Sequence, residues 1–584
     1  GWKSDNYHQF PFGLVEKDGW LYGSLSTAID FNAPGLSGPN SANRGTVFRV
    51  DPKRYDPQNP SANIEFITGG SRTPNGLILG PGGELFVGEN QGAWMPNNKY
   101  NHIEPGKFFG FYSPTAFKNA QYPNGGVAGP YDSQPLTPPT VSIPQNEAGN
   151  SPAGGVTIAK GEFAGQMLTT DVRFGGLQRV WLDKVNGQLQ GGIIPFTQGL
   201  ESGTNRLVYG PDGSLYYGGI GATDTWAWVD PKSGKWTQFG LQRLRPNGKS
   251  TFEIHSMVAT PTGFRLNLNR AVPKATLENP GSYYLQQWHY EPTEEYGGDK
   301  KGIETLKVTK AVASADRKSV LLTVPNLKEW RTVELRTSLK SDKGENLWAG
   351  QLWYTLNQIP GRDGRGLNVL VFSKTAGFRH DSIPTGQQMF RELGAGLDWK
   401  VTFSEDASIF TTPEFKKFQV VVFLNTTGDI LNREQEVAFE GFIRKGGGFL
   451  GIHSAADCEY DWPFYGKLVG GYFLSHPAIQ KVDIVITDRS HPATIFLPPV
   501  WTRTDELYDY KALPDPSIQI LARLDTTTYQ GHKMGPNHPF MWCHSFEGGR
   551  GFYTGMGHTK ETYSEPKYRE MIKQAVFWVA GQRS

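Results

Sequence analysis

Cysteine is almost absent from this sequence. The 584 residues include only Cys458 and Cys543, which is too few for a disulfide-rich scaffold or for a zinc site built from thiolates. The cysteine count alone therefore leaves the redox compartment open.

The sequence also lacks an excess of charge and long apolar runs. Lys and Arg total 58 against 56 for Asp and Glu, a formal net charge of +2, so we expect neither nucleic acid nor an anionic membrane as a partner. No run of about eighteen apolar residues occurs, which predicts no membrane-spanning helix. The opening segment, GWKSDNYHQF, has none of the basic and apolar segments of a signal peptide.

What the chain does have is length, glycine and aromatic residues. A single hydrophobic core does not grow to 584 residues, so several domains are expected. The 71 glycines and 40 prolines accompany 13% aromatic residues, a mixture typical of turn-rich β architectures. We therefore expect a multidomain protein with a large β content.

Residues 1–245 repeat a hairpin pattern in which two apolar strands flank a turn centred on glycine. The copies are FGLVEKDGWLYGSL from Phe12, NGLILGPGGELFVGE from Asn75 and NRLVYGPDGSLYYGG from Asn205. Repeated hairpins of this kind are typical of a β-propeller, in which ringed neighbours bury each other's apolar faces. Because about 245 residues hold only three or four blades, we expect a partial propeller, whose first blades are missing at the N-terminus or supplied by a partner chain.

Residues 251–360 change to short alternating strands, such as GFRLNLNRAV and KSVLLTVPNL, separated by polar turns. This spacing predicts a β-sandwich of immunoglobulin or fibronectin type. The linker GRDGRG (361–366) follows it.

From residue 367 to 584, apolar strands alternate with amphipathic helices. LNVLVFSKT, FQVVVFLNTT and GFLGIHSAAD read as buried strands, and TGQQMFRELGAGL and NREQEVAFEGFIRKGG as helices. The alternation predicts a flavodoxin-like α/β domain with a parallel sheet covered on both faces. Functional groups of such a domain are expected beyond the carboxyl ends of its strands.

Five ordered motifs carry a resemblance to a known family. They are VFSKTAGFRHDSIP (371–384), FLGIHSAAD (449–457), LVGGYFLSHP (468–477), RTDELYDY (503–510) and HPFMWCHSFEGGRGFYTGMGHT (538–559). Through them residues 367–584 resemble the ThuA-like (trehalose utilisation) family, which implies a class I glutamine amidotransferase-like fold and a role in sugar metabolism, often through 3-keto-sugars. Glutaminases of that fold carry a catalytic cysteine where this chain has His453, so we expect no glutaminase activity.

Histidines and carboxylates at the expected strand ends supply the candidate site. An imidazole can bind a metal or move protons near neutral pH, and three such nitrogens or carboxylates suit a divalent ion, zinc or calcium. We expect metal binding by His453, His476 and His558. Because an exposed side chain at the elbow contributes little packing, replacing His453 by alanine is expected to abolish metal binding or turnover and to leave folding nearly intact. The catalytic groups predicted are His453, His558, Asp457 and Glu506, and the substrate-binding residues predicted are His380, Trp462 and His544.

The propeller region raises a second chemistry. Residues 74–110 and 210–219 resemble soluble quinoprotein glucose and sorbosone dehydrogenases, but no complete set of cofactor-binding residues can be assigned, so pyrroloquinoline quinone (PQQ) is not favoured.

The leading hypothesis is a carbohydrate-processing enzyme, of glycoside hydrolase or lyase type, with the propeller as scaffold or glycan-binding surface. Its rivals are a non-catalytic carbohydrate-binding or surface-assembly protein and a quinone-dependent sugar dehydrogenase. The combination of modules implies bacterial export, to the periplasm, the cell surface or the medium.

The two cysteines provide one further expectation. Cys458 follows the strand FLGI and Cys543 follows the strand HPFMW, and both loops are expected at one end of the sheet. A disulfide needs Cα atoms about 4.4 to 6.8 Å apart, so the sequence leaves a bridge between the two open.

Overall fold

The computed structural model describes residues 9–27, 43–59, 62–112, 131–200, 203–220, 229–235 and 240–582. The chain forms two compact units, residues 1–361 and 362–584. Within the segments described, no helix has the length and apolar character needed to cross a membrane.

Where the structure describes it, the first unit has short 3₁₀ segments but is built almost entirely from strands, with one short α-helix. In chain order these elements are β1 (Pro11–Lys17), β2 (Trp20–Leu25), β3 (Thr46–Val50), β4 (Ile64–Phe66), β5 (Thr68–Gly69), β6 (Pro74–Leu79), β7 (Leu85–Glu89), β8 (Asn98–His102), β9 (Lys107–Phe108), β10 (Val141–Ile143), β11 (Pro152–Thr157), β12 (Met167–Asp171), β13 (Leu177–Val185), β14 (Gln188–Pro195), β15 (Thr204–Tyr209), β16 (Leu215–Gly219), β17 (Leu241–Leu244), β18 (Ile254–Thr260), β19 (Gly263–Leu268), α1 (Lys274–Leu277), β20 (Tyr283–His289), β21 (Lys301–Leu306), β22 (Lys310–Ala313), β23 (Ser319–Thr323), β24 (Arg331–Thr337) and β25 (Gln351–Leu356).

All three repeated sequences form antiparallel hairpins: β1 with β2, β6 with β7, and β15 with β16. At the tip of the last hairpin, Gly213 has a φ of +73°, a conformation that glycine adopts without a steric penalty. The hairpins extend into antiparallel sheets β1-β2-β3-β4, β10-β8-β7-β6 and β15-β16-β17. The predicted hairpins are thus confirmed, while their closure into a propeller ring stays a prediction.

The region after residue 250 forms a two-sheet sandwich that shares a sheet with the region before it. The sheet β18-β19-β23-β22 and strands β20, β21, β24 and β25 contribute to one core, which includes Phe264, Leu285, Val320 and Leu335. Strand β25 also pairs with β14, so one eight-stranded sheet runs β11-β12-β13-β14-β25-β24-β20-β21. The domain boundary expected near residue 250 is therefore crossed by the hydrogen bonds between β14 and β25. The immunoglobulin-like topology stays a prediction.

In its described part, residues 362–582, the second unit combines a nine-stranded sheet with four α-helices. Its elements are β26 (Asn368–Phe372), α2 (Ile383–Leu397), β27 (Lys400–Ser404), β28 (Val420–Leu424), α3 (Arg433–Arg444), β29 (Gly448–Ile452), α4 (Pro463–Val469), β30 (Phe473–Ser475), β31 (Gln480–Ile486), β32 (Val500–Asp505), β33 (Asp509–Tyr510), β34 (Gln519–Leu524), β35 (His538–Phe546), β36 (Gly549–Thr554) and α5 (Pro566–Val579). The sheet order is β27-β26-β28-β29-β36-β35-β34-β31-β32.

Strands β27, β26, β28, β29 and β36 are parallel and covered on both faces, as the sequence predicted. On one face, Phe423 stacks on Phe439 of α3 and on Tyr465 of α4. On the other, α5 lies so close to β29 that a Cβ on Gly448 would come 2.6 Å from the carbonyl oxygen of Val579. Continuous apolar strands are stable only with such double cover.

The other strands of the nine-stranded sheet form an antiparallel arm that the sequence pattern did not predict, and β30 pairs with β33 in a separate two-stranded sheet. Strand β35 pairs antiparallel with β36 and β34, and β31 with β34 and β32. Successive antiparallel pairings direct the end of β32 toward the edge at which the parallel strands end. Only three residue pairs, through Ile484–Ile486, join β31 to β34, so the opposite end of the β31–β32 hairpin is not held to the sheet by that pairing.

The two cysteines are not bridged. Within the described chain both are free and buried. Cys458 follows the turn after β29, as expected, but Cys543 lies inside β35, where it pairs with Phe552 rather than entering a loop. Burial raises the pKa of the Cys458 thiol to about 12, so this group stays protonated and unreactive.

Candidate functional site

The site is organised around the turn that follows β29. His453, directly after the strand, is fully buried and has a φ of +49°, an uncommon left-handed conformation for a residue other than glycine. Its carbonyl accepts a hydrogen bond from the Tyr553 hydroxyl at 2.8 Å. The ring Nδ1 lies 2.9 Å from the carbonyl oxygen of Gly555, and donation to that oxygen leaves the lone pair on Nε2.

Four groups from distant parts of the sequence meet at this turn. One ligand-type atom from each of His380, His453, Glu506 and His558 lies within 4.8 Å of the others. His380 precedes α2, and the other three follow β29, β32 and β36. Glu506 Oε2 is 3.3 Å from His453 Nε2 and 3.1 Å from His558 Nδ1. These three groups therefore lie at the edge of the sheet where its parallel strands end, the usual position of ligand sites in such folds.

The spacing and chemistry of this cluster fit a divalent transition metal. Among the described residues, His453 Nε2 and His558 Nδ1 are buried and make no well-directed hydrogen bond, and both face Glu506 Oε2. Ligands bound to zinc at about 2.0 to 2.2 Å lie roughly 3.3 to 3.5 Å from one another in a tetrahedral site, close to the separations from Glu506. Calcium, which the sequence left open, takes oxygen ligands, and three imidazoles do not suit it.

The charges of the cluster agree with metal binding. Burial, and after it the neighbouring His453, lowers the pKa of His380 to about 3, so its ring is neutral. Burial acts to raise the pKa of Glu506, but His453 and His558 outweigh it and hold that pKa below its usual range. Burial likewise acts to lower the pKa of His558, but Glu506 outweighs it and the net shift is upward. The cluster thus presents an ionised carboxylate among imidazoles.

His476, a predicted metal ligand, lies outside this group of four. Its side chain is 42% exposed, and its Nδ1 is 3.1 Å from Glu506 Oε1, the oxygen that does not face His453 and His558. The same Nδ1 is 2.9 Å from the carbonyl oxygen of Pro477. His380, predicted to bind substrate, is therefore one of the four candidate metal ligands. His476, predicted to bind metal, lies at the solvent-exposed side of Glu506, which we call the rim of the site.

The rim also carries Asp457 and two exposed aromatic rings. Asp457 Oδ1 accepts a hydrogen bond from the Tyr460 hydroxyl at 2.6 Å, and Tyr460 is 38% exposed. Phe378 is 66% exposed and stands edge-on to the His380 ring, with 4.9 Å between centroids. Asp457 follows His453 by four residues and is not among the four groups of the cluster.

Two predicted substrate-binding residues lie elsewhere. Trp462 is only 3% exposed, stacks on Tyr465, and donates its indole N–H to Glu440 at 3.0 Å. His544 lies within β35 opposite Gly551, away from the carboxyl end of β36, and its Nε2 is 2.9 Å from the carbonyl oxygen of Leu468. These positions do not support a substrate contact at the cluster, because both side chains are occupied in packing and internal hydrogen bonds.

Trp462→Ala is therefore expected to act on stability. Removing a buried indole creates a cavity, which costs about 3 to 5 kcal/mol of unfolding free energy. Urea denaturation measures the loss, and zinc affinity of the folded fraction should stay unchanged. Trp348→Ala removes an indole that is 45% exposed and should cost much less. An equal effect of the two substitutions would contradict the packing role.

Comparisons with known proteins find a sequence-family match in the second unit. Residues 368–579 match the sequence model of the family described as ThuA, trehalose utilisation. No curated protein matches the chain. Among solved structures, one described as a ThuA-like protein from Bacteroides uniformis is 21% identical, with 37% of this chain and 92% of that chain covered and a TM-score of 0.33. An oxidoreductase described as a glucose dehydrogenase from Thermus thermophilus is 21% identical, with 39% and 62% covered and a TM-score of 0.26. The PQQ-bound aldose sugar dehydrogenase of Streptomyces coelicolor is 20% identical, with 38% and 58% covered and a TM-score of 0.23.

Proposed function

We propose that the second unit, whose residues 368–579 match the trehalose utilisation family, is a metal-dependent enzyme domain that processes a glycoside or its 3-keto derivative. The observation that carries this proposal is the convergence of His380, His453, His558 and Glu506, with nitrogens of two imidazoles directed at one oxygen of a buried carboxylate. A sugar-related function agrees with the description of the matching family.

The four groups would hold the ion, and His476 would carry the proton. A bound divalent ion supplies Lewis acidity to a carbonyl or hydroxyl oxygen of the sugar. His476 Nδ1 faces Pro477 and Glu506, which leaves Nε2 for substrate. On a 3-keto-glycoside, Nε2 would accept the proton from the carbon beside the ketone, whose electron pair forms a double bond as the glycosidic C–O bond breaks. The same nitrogen would return the proton to the departing oxygen.

The geometry supports this chemistry over thioester chemistry. The elbow position is occupied by His453, which cannot form the thioester that glutamine hydrolysis needs. Cys458 is fully buried and hydrogen-bonded through Sγ with the carbonyl oxygen of Ala455 at 3.3 Å. A nucleophilic role for this thiol has no support from its surroundings.

The exposed groups at the rim would bind the sugar. Phe378 offers an exposed aromatic ring beside His380, and aromatic faces joined to a few fixed polar groups are typical of ligand sites. Asp457 would accept a hydrogen bond from a sugar hydroxyl. We further propose the first unit as a scaffold or glycan-binding surface, and export from a bacterial cell as the setting.

An activity screen tests this proposal. The full chain is assayed against trehalose, sucrose and their 3-keto derivatives, before and after removal of metal by a chelator. We expect turnover of at least one sugar, loss of turnover on chelation and recovery on addition of a divalent ion. Sugar binding without turnover would favour a binding protein, and quinone-dependent dye reduction would favour a dehydrogenase.

A further inference from the structure

The buried carboxylate of Asp505 binds the backbone of the loop that carries His558. Asp505 is fully buried at the end of β32. Its Oδ2 accepts the N–H of Gly557 at 3.0 Å, and its Oδ1 accepts the N–H groups of His558 and Thr559 at 3.2 and 3.3 Å. The Thr562 hydroxyl donates to Oδ2 at 3.1 Å. One carboxylate therefore fixes a stretch of several residues.

The same carboxylate is also fixed from its own strand. The N–H of Glu506 donates to Asp505 Oδ1 at 3.0 Å, and Arg503 Nη1 lies 3.2 Å from Oδ2, with both side chains buried. Both oxygens of Asp505 are thus engaged by protein groups, and Asp505 is outside the cluster of four. Its contacts join the strand that supplies Glu506 to the loop that supplies His558.

This junction matters because the two ligand-bearing strands are not neighbours. Strands β35, β34 and β31 lie between β36 and β32 in the sheet order. Sheet hydrogen bonds therefore do not set the distance between Glu506 and His558. The hydrogen bonds of Asp505 connect these two segments directly.

The peptide of Gly557 extends the junction toward His380. Its carbonyl oxygen accepts hydrogen bonds from Ser382 Oγ at 3.2 Å, Asn425 Nδ2 at 3.1 Å and the Tyr563 hydroxyl at 2.8 Å. Gly557 has a φ of +124°, and a Cβ there would come 2.8 Å from Ile452 Cγ2. A side chain at this position is excluded by both conformation and space. Ser382 lies just after His380 in the chain, so the His380 segment is tied to the same peptide.

We infer that Asp505 is a positioning residue, which sets the geometry of the metal cluster by fixing Glu506 and the His558 loop against each other. This inference rests on the proposed function, in which His380, His453, Glu506 and His558 bind a metal. Groups that orient metal ligands affect affinity strongly, because a displaced ligand must be drawn back when the ion binds. Asp505 acts through the backbone of the loop and touches no ligand atom of His558.

The test compares Asp505→Asn with Asp488→Asn in the full chain. The asparagine side chain is nearly isosteric, but its NH₂ group faces N–H donors and cannot accept from them. Asp488 is the matched control because its Oδ1 accepts the Ser490 N–H at 2.8 Å and its Oδ2 accepts from Gln519, away from the cluster. Zinc affinity is measured by competition with a chelator, and the site geometry by the visible spectrum of bound Co²⁺, on protein shown to be folded by circular dichroism.

For Asp505→Asn we expect zinc affinity to fall by about 10- to 100-fold, with an altered Co²⁺ spectrum, while Asp488→Asn matches the wild type in both. Unchanged affinity and spectrum in Asp505→Asn would overturn the inference. Hydrogen exchange on metal-free protein adds an independent readout, since the amides of Gly557, His558 and Thr559 should lose protection only in Asp505→Asn. If the wild type itself binds neither ion, the proposed function fails, and the exchange result still shows whether Asp505 orders the loop.

Discussion

Glu506→Gln is expected to weaken zinc binding by about 100-fold or more. Glu506 supplies the negative charge of the cluster and lies within 3.3 Å of ring nitrogens of His453, His476 and His558. Apparent binding energies of structural zinc sites, roughly 10 to 16 kcal/mol over four ligands, correspond to about 3 kcal/mol per ligand. A loss of that size is about two orders of magnitude in affinity.

Asp457→Asn is the control for this experiment. Asp457 is a nearby carboxylate of the same unit, but its Oδ1 is bound to the Tyr460 hydroxyl, and it is outside the cluster of four. We expect this variant to keep zinc affinity within about threefold of the wild type. A threefold change corresponds to less binding free energy than the 1.4 kcal/mol of a tenfold change. If Glu506→Gln and Asp457→Asn lose zinc affinity equally, the ion is held by the combined negative charge of the nearby carboxylates. The assignment of Glu506 as a direct ligand would then be wrong.

His453→Ala is expected to lose both zinc binding and stability. The sequence alone predicted an exposed elbow side chain whose removal would leave folding nearly intact. The structure corrects that expectation: His453 is fully buried, packs on Tyr508 with 4.1 Å between ring centroids, and is hydrogen-bonded to the Gly555 carbonyl. A cavity and an unpaired buried carbonyl together cost about 2 to 4 kcal/mol.

His453→Asn separates the two effects. Asparagine tolerates a positive φ better than alanine does, so this variant should recover part of the lost stability without recovering zinc affinity. Urea denaturation of metal-free protein and chelator competition measure the two quantities. Zinc affinity at the wild-type level in either variant would show that His453 is not a ligand. Unchanged stability of His453→Ala would contradict its role in packing.

The sequence predicted the parallel half of the second unit because its strands carry the simplest signal. The apolar segments around Val421 and Leu450 are buried on both faces, and such strands read as continuous apolar runs. Strand β31 buries alternate residues, and the buried run of β35 stops at Cys543, before His544 and Ser545, so the antiparallel arm had no comparable signal. The hairpins of the first unit were predictable from their glycine turns. The pairing of β14 with β25 joins segments more than 150 residues apart, and no local pattern encodes it.

The candidate site was predictable to the extent that it follows one topological rule. His453 comes directly after β29 and His558 four residues after β36, so the order of the strands predicted that the two side chains lie close together. Glu506 follows β32, whose position depends on the unpredicted arm. His544 and Trp462 were misplaced because motif membership does not show whether a side chain is buried within a strand or beneath a helix. The sequence did not predict that Asp505 binds the loop of His558, although the adjacent carboxylates Asp505 and Glu506 were visible in it.

Anomalous X-ray diffraction at the zinc edge, from crystals of the full chain grown with zinc, tests the central claim most directly. We predict one strong anomalous peak in the second unit, at about 2.0 to 2.2 Å from one atom each of His380, His453, Glu506 and His558. A map with no peak among these four side chains, or with the zinc bound by His476 and Asp457 instead, would contradict the account.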